Sequence, residues 1–265
     1  KKEIQSTISS KKYSKNSEAI LWYFDSASLV YEFWYQKYIN NEKFELRHSD
    51  IKTIHSLMFR WQESKKPWDY RVWDIMINKA EIKPPVWSMV RDNLDYFLKF
   101  INSLNFKEDE IINSLSKLHT LFESIHPFED WNWRAWRVFL NYILLCHWYP
   151  NIIIKWVKSE KEKYFSWLEK AEIWLYDFFP LNIPSDNWIN KWDFSSLEKL
   201  IWWNLFESID YLILSNYNDN DLISVANLMI EKWFKEDYWR QLVNRWKIIA
   251  KKIWNKWFTH RDLVY

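Results

Sequence analysis

Between residues 126 and 137 the chain reads His-Pro-Phe-Glu-Asp-Trp-Asn-Trp-Arg-Ala-Trp-Arg, and the side chains in it suit work on phosphate. His126 titrates near neutrality and can take a proton. Asp130 offers the hard carboxylate oxygen that Mg²⁺ accepts when it binds phosphates. Asn132 and the loop amides around 131–135 can cradle a phosphate, and Arg134 and Arg137 supply fork donors for further phosphate oxygens. A base, a hard-metal ligand, an amide and two cations together fit transfer of a phosphorus group to a hydroxyl. A single His-Pro in a loop is usually structural, and two arginines three apart usually form surface pairs; their co-occurrence carries the reading. Lys117–Ile125 upstream and Val138–Leu145 downstream have helical patterning, the second apolar enough to be buried. The polar cluster is therefore expected on a loop between two core helices. Arg137 already lies in the following helix, whose N-terminal dipole favours an anion.

At this spacing the stretch resembles the loop of the Fic family of nucleotidyl transferases, His-x-Phe-x-Asp/Glu-Gly-Asn-Gly-Arg-x-x-Arg. Trp131 and Trp133 stand where that family has glycine, and Trp136 where glycine is common among relatives. The resemblance implies transfer of AMP from ATP and Mg²⁺ to a Ser, Thr or Tyr hydroxyl of a target protein. His126 would be the base and Asp130 the metal ligand. Asp130, Trp131, Asn132, Trp133, Arg134 and Arg137 would line the nucleotide, and Phe128 would anchor the loop on the core. The Doc-type kinase branch has lysine at the second motif glycine, so Trp133 fits neither branch.

The composition bears on those tryptophans. The chain has 265 residues, no glycine and 22 tryptophans, whereas average usage of about 7% would give roughly 19 glycines. Tryptophan also follows Pro67, ends apparent helices and sits in loops, which are glycine niches. Most of these tryptophans are thus expected to occupy glycine positions, by substitution or by misassignment, with Trp257 the best candidate for a genuine one. A phosphate loop needs exposed N–H groups and often positive φ. Indoles at 131 and 133 are expected to impair it.

A net charge of +2 implies no global field for nucleic acid. One cysteine, Cys146, excludes an intrachain disulfide and suits a reducing compartment as a buried apolar group. The sequence has no apolar run of membrane-spanning length and no signal-like start, so a cytoplasmic bacterial protein without membrane contact is expected, with secretion as an effector left open. A homodimer is also left open.

The fold class expected is mainly α: a Fic-type helical bundle with a β-hairpin flap and a small C-terminal winged helix-turn-helix. Residues 1–47 form an N-terminal helical segment, 48–192 the Fic core, 193–216 a connecting helix and 217–265 the winged-helix-like domain. Helices are expected over 17–39, 51–59, 86–105, 107–123, 134–147 and 158–177. Two short strands, 70–77 and 80–85, are expected to pair about Asn78-Lys79. They resemble the family's flap, which docks an extended segment of the target by backbone bonds. Tyr70, Arg71, Val72, Asp74, Ile75 and Ile77 are its docking candidates. Ser28-Leu-Val-Tyr-Glu32 has the spacing of the family's inhibitory helix, with Phe33 departing from Gly/Asn; that resemblance makes Glu32 an inhibitory candidate acting through Arg137. From Lys232 onward nine Lys/Arg face three Asp/Glu, and the stretch resembles the excisionase/MerR-like winged helix. DNA contact through 217–265 is the corresponding partner, and the alternative function is a DNA-binding regulator with a silent or self-modifying Fic core.

Overall fold

The computed structural model describes residues 15–58, 69–78, 80–104, 111–147, 149, 151–154, 158–185, 189 and 192–216. Among them lie helices α1 (Lys15–Ile39), α2 (His48–Met58), α3 (Val90–Ser103), α4 (Ile111–Ile125), α5 (Asn132–Cys146), α6 (Lys158–Glu172) and α7 (Ser195–Asn216). Short 3₁₀ turns precede α3 (Trp87–Met89) and follow α6 (Ile173–Asp177). The winged-helix expectation for 217–265 and the Pro67-Trp68 turn fall outside the described residues.

α4 is the axis of the bundle. Of its 15 residues only Asn113 and Lys117 are not buried, because α3, α5, α6 and α7 all pack on it. Ser116 donates to the Ile112 carbonyl and Thr120 to that of Ser116, within the helix. α3 buries Val90, Asn93, Leu94, Phe97, Leu98 and Ile101, one face at helical spacing. α1 lies across α2 and α5. α7 closes the far side through Leu197, Ile201 and Leu205, and Phe179 and Ile189 of the intervening stretch are buried in the same core. Trp136 is fully buried between Phe97, Phe122 and His119, with ring centroids 5.1–6.4 Å away.

Irregular segments are fastened to helices by asparagine. The Asn102 carboxamide accepts from the Leu46 N–H and donates to the Leu46 carbonyl, and Asn141 does the same to Ile152. At the start of α2, Asp50 accepts from the Arg47 N–H, reaching back as in a capping box. Cys146 is only half-buried, with its thiol pushed up to about 12 by burial.

The expected hairpin is not formed as strands. Among the described residues none is in a strand; 70–77 and 80–85 run as irregular chain about a turn in which the Ala80 N–H donates to the Ile77 carbonyl. Alternating apolar residues had suggested pairing, yet Val72, Trp73 and Met76 all face solvent. No described helix is long and apolar enough to cross a membrane.

Candidate active site

α4 stops at Ile125 because the next residue turns left-handed: His126 has φ +47°, and its N–H closes the helix on the Phe122 carbonyl. Pro127 cannot continue a helix. The turn directs the imidazole back so that Nδ1 lies 3.3 Å from the Glu123 carbonyl. A carbonyl only accepts, so Nδ1 carries the proton and Nε2 keeps its lone pair. Burial lowers the His126 pKa to about 4; the Arg71 charge acts in the same direction, while the Glu123 carbonyl and Asp130 oppose it. The ring is therefore neutral at physiological pH.

The loop beyond is held from several sides. Phe128 is buried, with its ring stacked on that of His55 at 3.5 Å. His55, buried on α2, donates from Nε2 to the Asp130 carbonyl at 3.0 Å. Asn132 is 1% exposed; it accepts from the Phe128 N–H and donates to the Phe128 carbonyl, each at 2.9 Å. The side chain expected on a phosphate thus also ties the loop to itself at Phe128. The Arg71 N–H donates to the Pro127 carbonyl at 2.9 Å, and its Nε to the His126 carbonyl at 2.9 Å.

α5 then starts at Asn132 with no side-chain cap. Its first-turn amides lack partners within the helix, which suits an anion. Trp131, the residue before it, has φ +65° and ψ +18°. That left-handed conformation is natural for glycine and costs other residues about 1–2 kcal/mol. Asp130 is exposed, and its Oδ1 accepts from the Trp131 N–H at 2.8 Å. The two arginines are covered by indoles: Arg134 lies 4.4 Å from the Trp131 ring centroid, and Arg137 lies 5.3 Å from that of Trp133. Trp133 in turn rests on Tyr164, 4.4 Å between centroids.

Beneath the loop is a buried acidic cluster. Glu123 of α4 is pushed up to about 8 by burial, with Glu172 adding to the effect and Arg137 opposing it. Glu172, at the end of α6, is raised to about 8, again by burial first, against the Ser124 hydroxyl that donates to it at 2.9 Å. His119 and Tyr164 share a 2.8 Å hydrogen bond beside them. Sequence reasoning missed this cluster and the role of His55. The available signal was an acid three residues before His126 on an otherwise enclosed helix.

The flap candidates divide by position. Tyr70 and Arg71 are buried at its root, Val72 and Asp74 are exposed, and Ile75 and Ile77 are half-buried. The Tyr70 hydroxyl donates to His48 Nδ1, whose Nε2 donates to Asp95, both at 2.7 Å. Asp74 accepts from the Trp87 N–H at 2.7 Å. Glu32 is exposed on α1, where it accepts from Gln36, whereas Ser26 and Val30 form the inward face. Inhibition by Glu32 through Arg137 would therefore require α1 to turn.

Among the described residues no three His, Cys, Asp or Glu side chains form a metal cluster. A lone carboxylate nevertheless fits Mg²⁺ that takes its other oxygens from phosphates and water. Asp130, exposed at the loop, has that donor chemistry.

Residues 45–144 match the model of the Fic/DOC family. The chain is 26% identical over 246 residues to a probable protein adenylyltransferase of Aquifex aeolicus, covering 89% of this chain and 73% of that one. A Fic-domain-containing signalling protein of Bacteroides thetaiotaomicron shares the fold with a TM-score of 0.58 at 16% identity, over 77% of this chain and 75% of that one.

Proposed function

We propose that the chain, whose residues 45–144 match the Fic/DOC family model, is a protein adenylyltransferase with His126 as its base. The observation that carries the reading is the His126 imidazole, proton-bearing at Nδ1 toward Glu123 and open at Nε2, set one loop away from the N-terminus of α5. In the proposed step the oxygen of a target Ser, Thr or Tyr attacks the α-phosphorus of ATP. His126 Nε2 takes the hydroxyl proton, the α–β phosphoanhydride bond breaks, and diphosphate leaves. Main-chain amides at the start of α5 would face the α-phosphate, where charge develops. Arg134 and Arg137 would hold the β- and γ-phosphates. Asp130 would hold Mg²⁺, which when bound neutralises phosphate charge. The exposed residues of the flap, Val72, Trp73, Asp74 and Met76, support docking of a target segment.

A second reading rests on the indoles. Trp131 and Trp133 cover both arginines, which favours a Fic core that is silent as the chain stands. The basic segment from Lys232 would then act on DNA.

Incubation with α-labelled ATP and cell extract tests the first reading, using the Trp131→Gly/Trp133→Gly chain with and without His126→Ala. Label that disappears with His126→Ala supports it, and label that survives removes His126 as the base. Salt-sensitive retention of the unaltered chain on duplex DNA, without labelling, supports the second.

A further inference from the structure

Arg71 was expected to face a docked target. The structure turns its side chain inward instead, leaving it 2% exposed. Its guanidinium serves four main-chain acceptors and, among the described residues, hydrogen-bonds no carboxylate. Nε donates to the His126 carbonyl at 2.9 Å, and one Nη donates to the Trp73 carbonyl at 3.1 Å. The other Nη serves the Pro85 and Ile125 carbonyls. Trp73 and Pro85 belong to the outgoing and returning arms of the flap. Ile125 and His126 are the last residue of α4 and the base itself. Backbone to backbone, the Arg71 N–H adds the Pro127 carbonyl. One side chain thus closes a ring from both flap arms to the residue with φ +47°.

We propose that Arg71 is a positioning residue: its fork sets the main chain of His126 from the root of the flap, so that a segment docked on the flap also orients the base. The inference rests on His126 being the base, but its geometry does not. Neutral carbonyls spread over two segments suit a planar fork, because a lysine ammonium has three donors without the fixed fork geometry. Burial lowers the Arg71 pKa to about 10, so the group stays charged at neutral pH. The charge is felt at His126, where it opposes protonation. The other groups facing that imidazole are Asp130 on its own loop and the Glu123 carbonyl from α4.

The test follows His126 directly, with no need for turnover. In the full chain the His126 imidazole is titrated by NMR, and amide exchange is mapped over 70–85 and 125–132. Arg71→Gln is expected to raise the His126 pKa by about one unit, the size of shift a neighbouring charge produces. It should also speed exchange in both segments together. Arg71→Lys keeps the charge, so the pKa should stay low while protection is still lost in both segments. If Arg71→Gln does not fold, Arg71→Lys alone decides through exchange. Loosening of the flap with 125–132 unchanged, or a His126 pKa unmoved in Arg71→Gln, overturns the proposal. In the Trp131→Gly/Trp133→Gly chain, Arg71→Lys should lower kcat with the KM for ATP kept. A His126→Ala chain that still labels would remove the base assignment and leave the NMR and exchange results standing.

Discussion

Replacing Trp131 and Trp133 by glycine should uncover the two arginines of the loop proposed to hold phosphate. In the present loop Arg134 and Arg137 each lie against an indole face, at 4.4 and 5.3 Å. A partly exposed cation–π contact is worth about 0.5–1 kcal/mol. Both must be given up before the guanidinium groups can reach phosphates, a total of about 1–2 kcal/mol, or about 5–30-fold in affinity. The backbone term acts on stability, since it is common to the free and the ATP-bound loop. Trp131 has φ +65°, where glycine relieves about 1 kcal/mol of strain. Loss of the Trp133 contact with Tyr164 acts against stability but not against binding. Calorimetric titration with ATP and Mg²⁺ should therefore show affinity tightened by about tenfold, near the middle of that range. The single Trp133→Gly should account for about half of the gain on a free-energy scale, since each arginine has its own indole. The reasoning fails if the double variant is folded by circular dichroism and binds ATP no better than the unaltered chain.

In the Trp131→Gly/Trp133→Gly background kcat/KM should rise through pH 4 and be level above about 5, because the base works neutral and burial lowers its pKa to about 4. A rise centred near the ordinary imidazole value would show that His126 is not the titrating group. Glu123 and Glu172 have folded pKa values raised to about 8 from 4.5. The folded state then holds protons that the unfolded chain has released, so stability is full below pH 4.5 and is lost as pH rises through 8. The melting temperature should fall across that window, and Glu123→Gln/Glu172→Gln should flatten the fall; an unchanged profile counts against the buried pair. Glu32→Ala should alter labelling by less than about twofold, since losing an exposed contact to Gln36 is a small effect. A tenfold rise would show that α1 does turn toward Arg137.

The helices were legible because period is a property of side chains, and α4, α5 and the loop between them followed from it. Asp130, His126 and the two arginines were singled out by spacing in the same way. Contacts to the main chain were not legible, since carbonyls carry no residue type. Arg71 thus read as a surface docking residue and Asn132 as a phosphate ligand, though both bind backbone. Glu32 shows the limit of spacing alone. Ser28 and Glu32 have the right interval, but Ser26 and Val30 define the buried face, and Glu32 lies about 200° around the helix from Val30 at 3.6 residues per turn. The flap read as strands because its apolar and β-prone residues signal a half-buried strand, yet a strand also needs a paired backbone ladder, and among the described residues the flap forms none.

Asn102, Asn132 and Asn141 each hold an irregular segment by accepting from one N–H and donating to the same residue's carbonyl. Hydrolytic ageing that converts asparagine to aspartate leaves an acceptor with no donor. At each of these places the new carboxylate would face a carbonyl oxygen. At Asn132, which is 1% exposed, that repulsion would spring the loop under His126, so deamidation there should disturb this loop before it disturbs the helices.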